Sequence, residues 1–279
     1  MLADESSNKA FSSILRSPYL RPTALRCIHS IFRNFFLLQY KAALNPRRFK
    51  ISRVDHPLDR KIPFRPEKVE IYLDFVPFFI RILGFLLKFF NNSDEHVKNS
   101  IESLGALYAR AAEVYSKNYS TTDRPRYLKR FRFIVIHTFD PHLLCIPSLH
   151  VMIVIRAYTQ LRETLKKLGE EENRSSEIEE ARQRALEITE AVLYIKQHSI
   201  NCISAAMYAM SCFDDLFPPE EAEQFARDLF VDSDQISKED AEAIREHILS
   251  LYRQFLDQGQ NSSSWEMPLL DFLASQPKK

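Results

Sequence analysis

Along most of the chain, apolar residues recur at every third or fourth position. Residues 93–117 are the clearest case, with apolar side chains at Ile101, Leu104, Leu107, Tyr108, Ala111 and Tyr115. That spacing places the side chains on one face of an α-helix. The same pattern predicts further helices over 1–44, 147–168, 176–213 and the residues that follow Pro219. The chain contains only four glycines, which also argues against a strand-rich fold. We therefore predict an all-α protein, folded as a helical bundle.

Prolines and charged residues divide the chain into three segments. Residues 45–68 contain four prolines and many charges, which indicates an irregular connector on the surface. We expect an N-terminal helical and connector segment (1–70), a helical core (71–215) and a C-terminal segment of amphipathic helices (216–279). Near residue 237, a serine followed three positions later by an aspartate is typical of a helix start.

The most apolar stretch is residues 71–90, but Asp74, Arg81 and Lys88 interrupt it. A membrane-spanning helix needs roughly 20 mostly apolar residues, and an arginine near its centre costs about 2.5–3.5 kcal/mol. We therefore predict a helix that is buried in protein or lies on a membrane surface. A true membrane span is the alternative.

Composition limits the choice of function. Lys+Arg is 38 and Asp+Glu is 37, so the overall charge gives no argument for nucleic acid or an acidic partner. The four glycines form no glycine-rich phosphate loop, so a phosphate site would need side chains and helix N-termini. The four cysteines form no C-x-x-C pair and indicate buried free thiols in a reducing compartment. The N-terminus does not resemble a signal peptide, and we expect a cytoplasmic or membrane-associated protein.

Three short segments have side chains that suit a phosphate group. Lys117 and Arg124 are seven residues apart, so in a helix they would lie on one face and offer cations to phosphate oxygens. Pro147 suits the first position of a helix, where the N–H groups of Ser148 and Leu149 and the Ser148 hydroxyl would point at an anion.

Two histidines complete the set. His150 follows in the same helix turn as a proton donor, and His198, in the Lys196-Gln197-His198 sequence of a helix, would be a neutral nucleophile. We expect the ring nitrogens of the two histidines to lie roughly 4–8 Å apart, the span of a bound phosphoryl group.

In this order, the three segments resemble the motifs of the type 2 phosphatidic acid phosphatase and vanadium haloperoxidase superfamily, which are K-x6-R-P, P-S-G-H and S-R-x5-H-x3-D. The residues that match are Lys117, Arg124, Pro125, Pro147, Ser148, His150 and His198. Leu149 replaces the glycine, and the P-S-L-H sequence is similar to the branch that includes inositol-phosphoryl transferases. Val192 stands where the superfamily has arginine, and Cys202 where it has the aspartate that orients the nucleophile.

The resemblance implies that 71–215 is a phosphatase-like helical core in which His198 attacks phosphorus and His150 protonates the leaving alcohol. The residues implied to hold the phosphoryl oxygens are Lys117, Arg124, Ser148 and Leu149, with Lys196 as a candidate for the missing arginine. Asp123 and Asp140 are candidates for the missing carboxylate. The implied activity is hydrolysis or transfer of a phosphate ester through a phosphohistidine. The alternatives are a weakened relative that binds phosphate groups without turnover, and a helical scaffold on a membrane surface.

Other features add little to these hypotheses. The sequence RYLKRFRF (126–133) mixes basic and aromatic residues, which suits a basic rim or lipid headgroups better than nucleic acid. His137 and His142 flank Asp140, but without a fourth ligand they do not predict a metal site. We therefore expect no cofactor and no nucleic acid, a phosphate-ester substrate that lipid could carry, and a peripheral membrane contact.

Overall fold

The computed structural model describes residues 2–91 and 93–278 and is built mostly from α-helices, which confirms the predicted all-α class. In chain order the helices are α1 (Ser7–Arg16), α2 (Arg21–Ile31), α3 (Leu37–Leu44), α4 (Val69–Tyr72), α5 (Phe75–Phe89), α6 (Asp94–Tyr115), α7 (Phe131–Phe139), α8 (Leu149–Lys167), α9 (Ser175–Tyr194), α10 (Ile200–Ser211), α11 (Pro219–Asp228), α12 (Lys238–Gln260) and α13 (Met267–Ser275). A π-helical turn, Phe32–Phe36, joins α2 to α3.

Helix α8 lies at the centre of the bundle. Residues 151–159 are buried on every side, as expected for a helix that is surrounded by protein. Helices α5, α6, α9 and α10 pack against it. His150 stands in the first turn of α8, and His198 lies between α9 and α10. The central packing therefore brings the two histidines to neighbouring elements.

The predicted helix 176–213 is broken, which corrects the expectation that His198 lies within a helix. Helix α9 ends at Tyr194, Lys196 adopts a φ of +57°, and α10 begins at Ile200. The cause lies far away in the sequence. The Lys196 amine donates to the carbonyls of Asp59 and Ile62. The Asp59 carboxylate accepts a hydrogen bond of 3.0 Å from the N–H of Ile200 and so caps α10.

The segment from Lys117 to Arg124 is not helical, contrary to the expectation that its two cations share a helix face. Strand β2 (Tyr119–Thr121) pairs in parallel with β1 (Ile51–Arg53), with Ile51 opposite Tyr119. The hydroxyl of Ser120, which is buried, accepts hydrogen bonds from the N–H groups of Cys145 (3.1 Å) and Ile146 (2.9 Å). The pairing therefore fixes the loop that leads into α8.

The apolar stretch 71–90 forms α4 and α5, and α5 packs against α1 and α8. Its charges are satisfied within the protein. The Arg81 guanidinium donates twice to Asp74, at 2.7 Å each, and Arg184 of α9 donates to the same carboxylate. None of the helices in the described ranges is long and apolar enough to cross a membrane. The stretch therefore forms a helix that is buried in protein, which is one of the arrangements that the sequence predicts.

One large apolar core runs from Leu2 to Leu273 and contains residues of all three predicted segments. The boundaries at 70/71 and 215/216 stay predictions, because the segments share that core. A smaller apolar cluster joins α4, α7 and α9 through Tyr72, Phe133 and Val192. Val192 is fully buried there, which explains why an arginine does not suit its position.

Two helical glycines give a matched test of this packing. A Cβ at Gly84 in α5 would lie 2.7 Å from the Cβ of Ala10, whereas at Gly105 in α6 the nearest atom is 3.6 Å away. Overpacking costs about 1–3 kcal/mol, and alanine gains about 1 kcal/mol over glycine in a helix. Thermal or urea unfolding should therefore show Gly105→Ala to be more stable than Gly84→Ala by about 1–3 kcal/mol. Equal stability of the two variants would contradict the close approach of α1 and α5.

Candidate active site

The centre of the candidate site is a direct contact between two histidine rings. Nδ1 of His150 lies 3.1 Å from Nε2 of His198, and the ring centroids are 5.3 Å apart. The nitrogens are closer than the expected 4–8 Å because they are hydrogen-bonded to each other rather than separated by a phosphoryl group. One of the two facing nitrogens must carry the proton and the other the lone pair. The rings therefore share one proton across the contact.

Tyr72 contacts the His150 ring at Nε2, the nitrogen that faces away from His198. Its hydroxyl lies 2.8 Å from Nε2 of His150, and the ring of Phe75 packs 4.5 Å away, centroid to centroid. If Tyr72 donates to Nε2, then Nδ1 of His150 carries a proton and His198 keeps the lone pair that a nucleophile needs. Sequence reasoning missed Tyr72, because it lies in an apolar stretch whose residues otherwise pack the core.

Burial keeps both histidines neutral. It lowers the pKa of His150 to about 4. It also lowers the pKa of His198 well below its ordinary value, and the neighbouring His150 adds to that effect. An imidazolium costs free energy where water cannot solvate it. Near pH 7 the pair is therefore uncharged, which suits His198 as a nucleophile and leaves His150 without the extra proton of an acid.

A small cavity adjoins the pair. Its volume is about 10 Å³, and its walls include Phe35, Gln39, Leu149, His150 and His198. Such a space holds about one water molecule, so a phosphoryl group enters only if part of the wall moves. Phe35 and Gln39 belong to the π turn and α3, which cover the cavity from outside the central bundle.

Arg124 reaches the site from the segment after β2. Its guanidinium donates to the side-chain oxygen of Gln197 at 3.1 Å, to the Asp140 carboxylate at 3.2 Å and to the Asp140 carbonyl at 3.0 Å. Burial raises the pKa of Asp140, and the positive charge of Arg124 opposes that rise. Besides burial and the neighbouring His150, the positive charge of Arg124 lowers the pKa of His198, so the guanidinium lies near the nucleophile candidate.

Ser148 is the N-cap residue of α8 and is completely buried. Its hydroxyl makes no hydrogen bond within the part of the chain that the structure describes, and Ser148 adjoins Leu149, which lines the cavity. Its N–H donates to the carbonyl of Cys202 at 3.3 Å, which corrects the expectation of a free N–H group there. Helix α8 begins at Leu149, so Pro147 precedes the helix instead of opening it.

The two lysines of the predicted set point elsewhere. The Lys117 amine forms a 2.7 Å ion pair with Glu266, just before α13. The Lys196 amine donates to two carbonyls of the connector. It therefore does not take the place of the arginine that the superfamily motif has at the position of Val192. Both lysines are occupied by contacts that a sequence motif does not reveal.

Neither Asp123 nor Asp140 occupies the position of the orienting carboxylate that the resemblance implies. Asp140 accepts from Arg124 and from the N–H of His142 (2.8 Å), while the side chain of Asp123 is largely exposed and lies 3.8 Å from Arg53. Cys202 is fully buried in α10, and burial raises the pKa of its thiol. It thus forms part of the apolar packing beneath the pair.

His142 is a further cavity residue that the sequence suggested only as a weak metal ligand. Its ring centroid lies 6.3 Å from that of His198, and Nε2 is 2.7 Å from the hydroxyl of Thr122. Among residues 2–91 and 93–278, no three His, Cys, Asp or Glu side chains are placed so that they could hold a metal ion. The sequence signal that could have found His142 is its position within HTFDPH, five residues before Pro147.

Comparison with known families, curated proteins and solved structures finds no match for this chain.

Proposed function

We propose that this protein hydrolyses or transfers phosphate esters through a phosphohistidine on His198. The observation that carries the proposal is the 3.1 Å contact between Nδ1 of His150 and Nε2 of His198. A nucleophile and a proton carrier within hydrogen-bond reach of each other are what covalent catalysis requires. Arg124 beside the pair and the buried hydroxyl of Ser148 supply donors for an oxyanion.

The proposed reaction has two steps. First, the hydrogen bond between the two rings opens, and the freed lone pair on Nε2 of His198 attacks phosphorus. A nitrogen–phosphorus bond forms, and the bond to the alcohol oxygen breaks. The leaving oxygen takes its proton from the imidazolium form of His150, which only a small fraction of the molecules carry near pH 7 and which becomes the neutral ring in this step. In the second step water, or an acceptor alcohol, attacks the phosphohistidine and gives its proton back to His150, which releases His198. Each histidine thus returns to its starting protonation state.

A trapping experiment tests this proposal. The protein is incubated with ³²P-labelled phosphate esters, quenched in alkali and examined for acid-labile phosphohistidine. We expect label on the wild type and none on His198→Asn, whose turnover should fall by at least about a thousandfold. His247→Asn is the control, because His247 lies on α12 outside the cavity. Equal turnover by wild type and His198→Asn would overturn the proposal.

Binding without turnover is the second candidate, and two positions favour it. Buried Val192 and buried Cys202 leave the site without the second arginine and without the orienting carboxylate that the resemblance implies. Orthovanadate or phosphate at millimolar concentration should then raise the melting temperature by mass action. An anion-dependent shift that Ser148→Ala weakens, combined with no hydrolysis over a panel of esters, would select binding alone.

A further inference from the structure

The outer face of the helix that covers the cavity is apolar. Helix α2 and the π turn carry exposed apolar side chains three or four residues apart, at Leu25, Ile28, Phe32 and Phe36, and Leu37 at the start of α3 adjoins the last of them. Phe32 is 59 % exposed. In a helix that packs on one side only, the outward face is normally polar. These exposed apolar side chains would therefore be stabilised by an apolar environment outside the protein.

A second apolar surface lies on α7 and the residues before it. Its exposed members are Leu128, Phe131, Ile134, Val135 and Phe139. The opposite side of α7 packs inward through Phe133 and Ile136. The two surfaces meet where the hydroxyl of Tyr40 in α3 donates to the carbonyl of Phe139 at 2.9 Å. We call these two sets of exposed residues together the docking surface.

The chain around the docking surface is strongly basic. Residues 21–50 contain seven Lys or Arg and no Asp or Glu, and residues 124–139 contain five and none. The whole chain has a net charge of only +1, so this excess is local. Some of these cations pair with acidic groups of other segments, as Arg26 does with Glu102 and Arg132 with Glu70. Lys129 and Arg130 are exposed beside the apolar side chains.

We infer that the docking surface binds an anionic lipid bilayer. Exposed apolar side chains enter the boundary between headgroups and acyl chains, while the surrounding cations contact negative headgroups. Nucleic acid fits less well, because aliphatic side chains such as Leu25, Ile28 and Ile134 have no aromatic face on which bases stack. A second copy of the chain fits less well too, since its docking surface would bring the same positive charge.

The docking surface and the cavity share one helical segment. Phe36 and Leu37 are exposed on its outer side, while their neighbours Phe35 and Gln39 line the cavity on its inner side. A bilayer on the docking surface would therefore lie next to the histidine pair. Binding to the bilayer requires no catalysis, so it is tested separately from the proposed reaction.

Vesicle binding tests this inference. The full chain is sedimented with phosphatidylcholine vesicles that contain, or lack, about a third phosphatidylserine, at low and at high salt. We expect binding to the anionic vesicles that high salt weakens. Since each Lys or Arg near such a surface contributes about 1 kcal/mol, Lys129→Glu combined with Arg130→Glu should lower the partition coefficient by at least about 10- to 30-fold. The control is Lys238→Glu, an exposed lysine at the start of α12.

The apolar part is tested in the same way. Phe32→Ser combined with Phe131→Ser should weaken binding by about tenfold or more, whereas Val231→Ser, which removes an exposed apolar side chain beyond α11, should leave it unchanged. Both phenylalanines are exposed, so circular dichroism should show an unchanged fold. Failure of the wild type to bind anionic vesicles would overturn the inference. So would tight binding to RNA or a stable dimer, if the same Phe-to-Ser changes abolished it.

Discussion

Replacing His150 with alanine is expected to slow phosphoryl transfer from an alkyl phosphate by about 10²–10⁴-fold. The rate of transfer from p-nitrophenyl phosphate should fall much less. The reason is the leaving group. An alkoxide needs a proton as it departs. His150, whose Nδ1 lies 3.1 Å from the nucleophile candidate, can give one when its ring is protonated. Nitrophenolate is stable without that proton. Steady-state kinetics with both substrates measure the difference.

The pH profile of the wild type extends this prediction. Burial lowers the pKa of His150 to about 4, so at pH 7 only a small fraction of the free protein carries the acidic form. For alkyl phosphates kcat/KM should therefore increase as pH falls from 7 towards 5, by up to about tenfold per pH unit. The profile for p-nitrophenyl phosphate should be flatter.

A matched control separates this effect from general acid sensitivity. Burial lowers the pKa of His247 to about 4 as well, but its ring stacks on His56 at 3.8 Å, outside the cavity. His247→Asn should keep both the acid-side increase and the difference between substrates. Identical losses for the two substrates in His150→Ala would show that His150 is not the proton donor.

Replacing Arg124 with methionine is expected to lower the free energy of unfolding at pH 7 by about 3 kcal/mol. The change removes three hydrogen bonds to Asp140 and Gln197 and leaves the Asp140 carboxylate without its cation. The side chains of Arg124 and Asp140 are 12 % and 25 % exposed, so most of the lost interaction is shielded from water. Urea unfolding gives the difference directly.

The loss of stability in Arg124→Met should depend on pH and on the presence of the Asp140 carboxyl. Burial already raises the pKa of Asp140, and without Arg124 that pKa should increase further. The carboxyl is then protonated at low pH, and the destabilisation should grow as pH increases. Adding Asp140→Asn to Arg124→Met should restore part of the stability, because no unpaired carboxylate remains. If the double variant were no more stable than Arg124→Met, the ion pair would not be the source of the loss.

The sequence predicted the helical class and the segments that contain the two histidines, because helical periodicity and short motifs are local signals. The break between α9 and α10 was not predictable in this way. It depends on Asp59, which contacts Ile200 and Lys196 from more than a hundred residues away. The apolar run after the break continues the helical pattern, so periodicity alone favours an uninterrupted helix.

The set of charged residues was the least predictable part of the site. A motif identifies Lys117 by spacing, and Lys196 is only a candidate for the missing arginine, but their amines bind Glu266 and two connector carbonyls. Conversely, Tyr72 belongs to no motif and yet contacts His150. Such outcomes depend on which segments become neighbours after folding, and that information is not contained in any short stretch of sequence.

The capping of α10 by Asp59 also affects the order of events during synthesis. The hydrogen bond from Ile200 to Asp59 joins residues 141 positions apart. During synthesis this contact cannot form until α9 and the start of α10 have left the ribosome. Contacts of such long sequence separation close slowly. The nascent chain therefore exposes His150 well before His198 can be held opposite it, and a truncated translation product that stops before His198 contains no histidine pair.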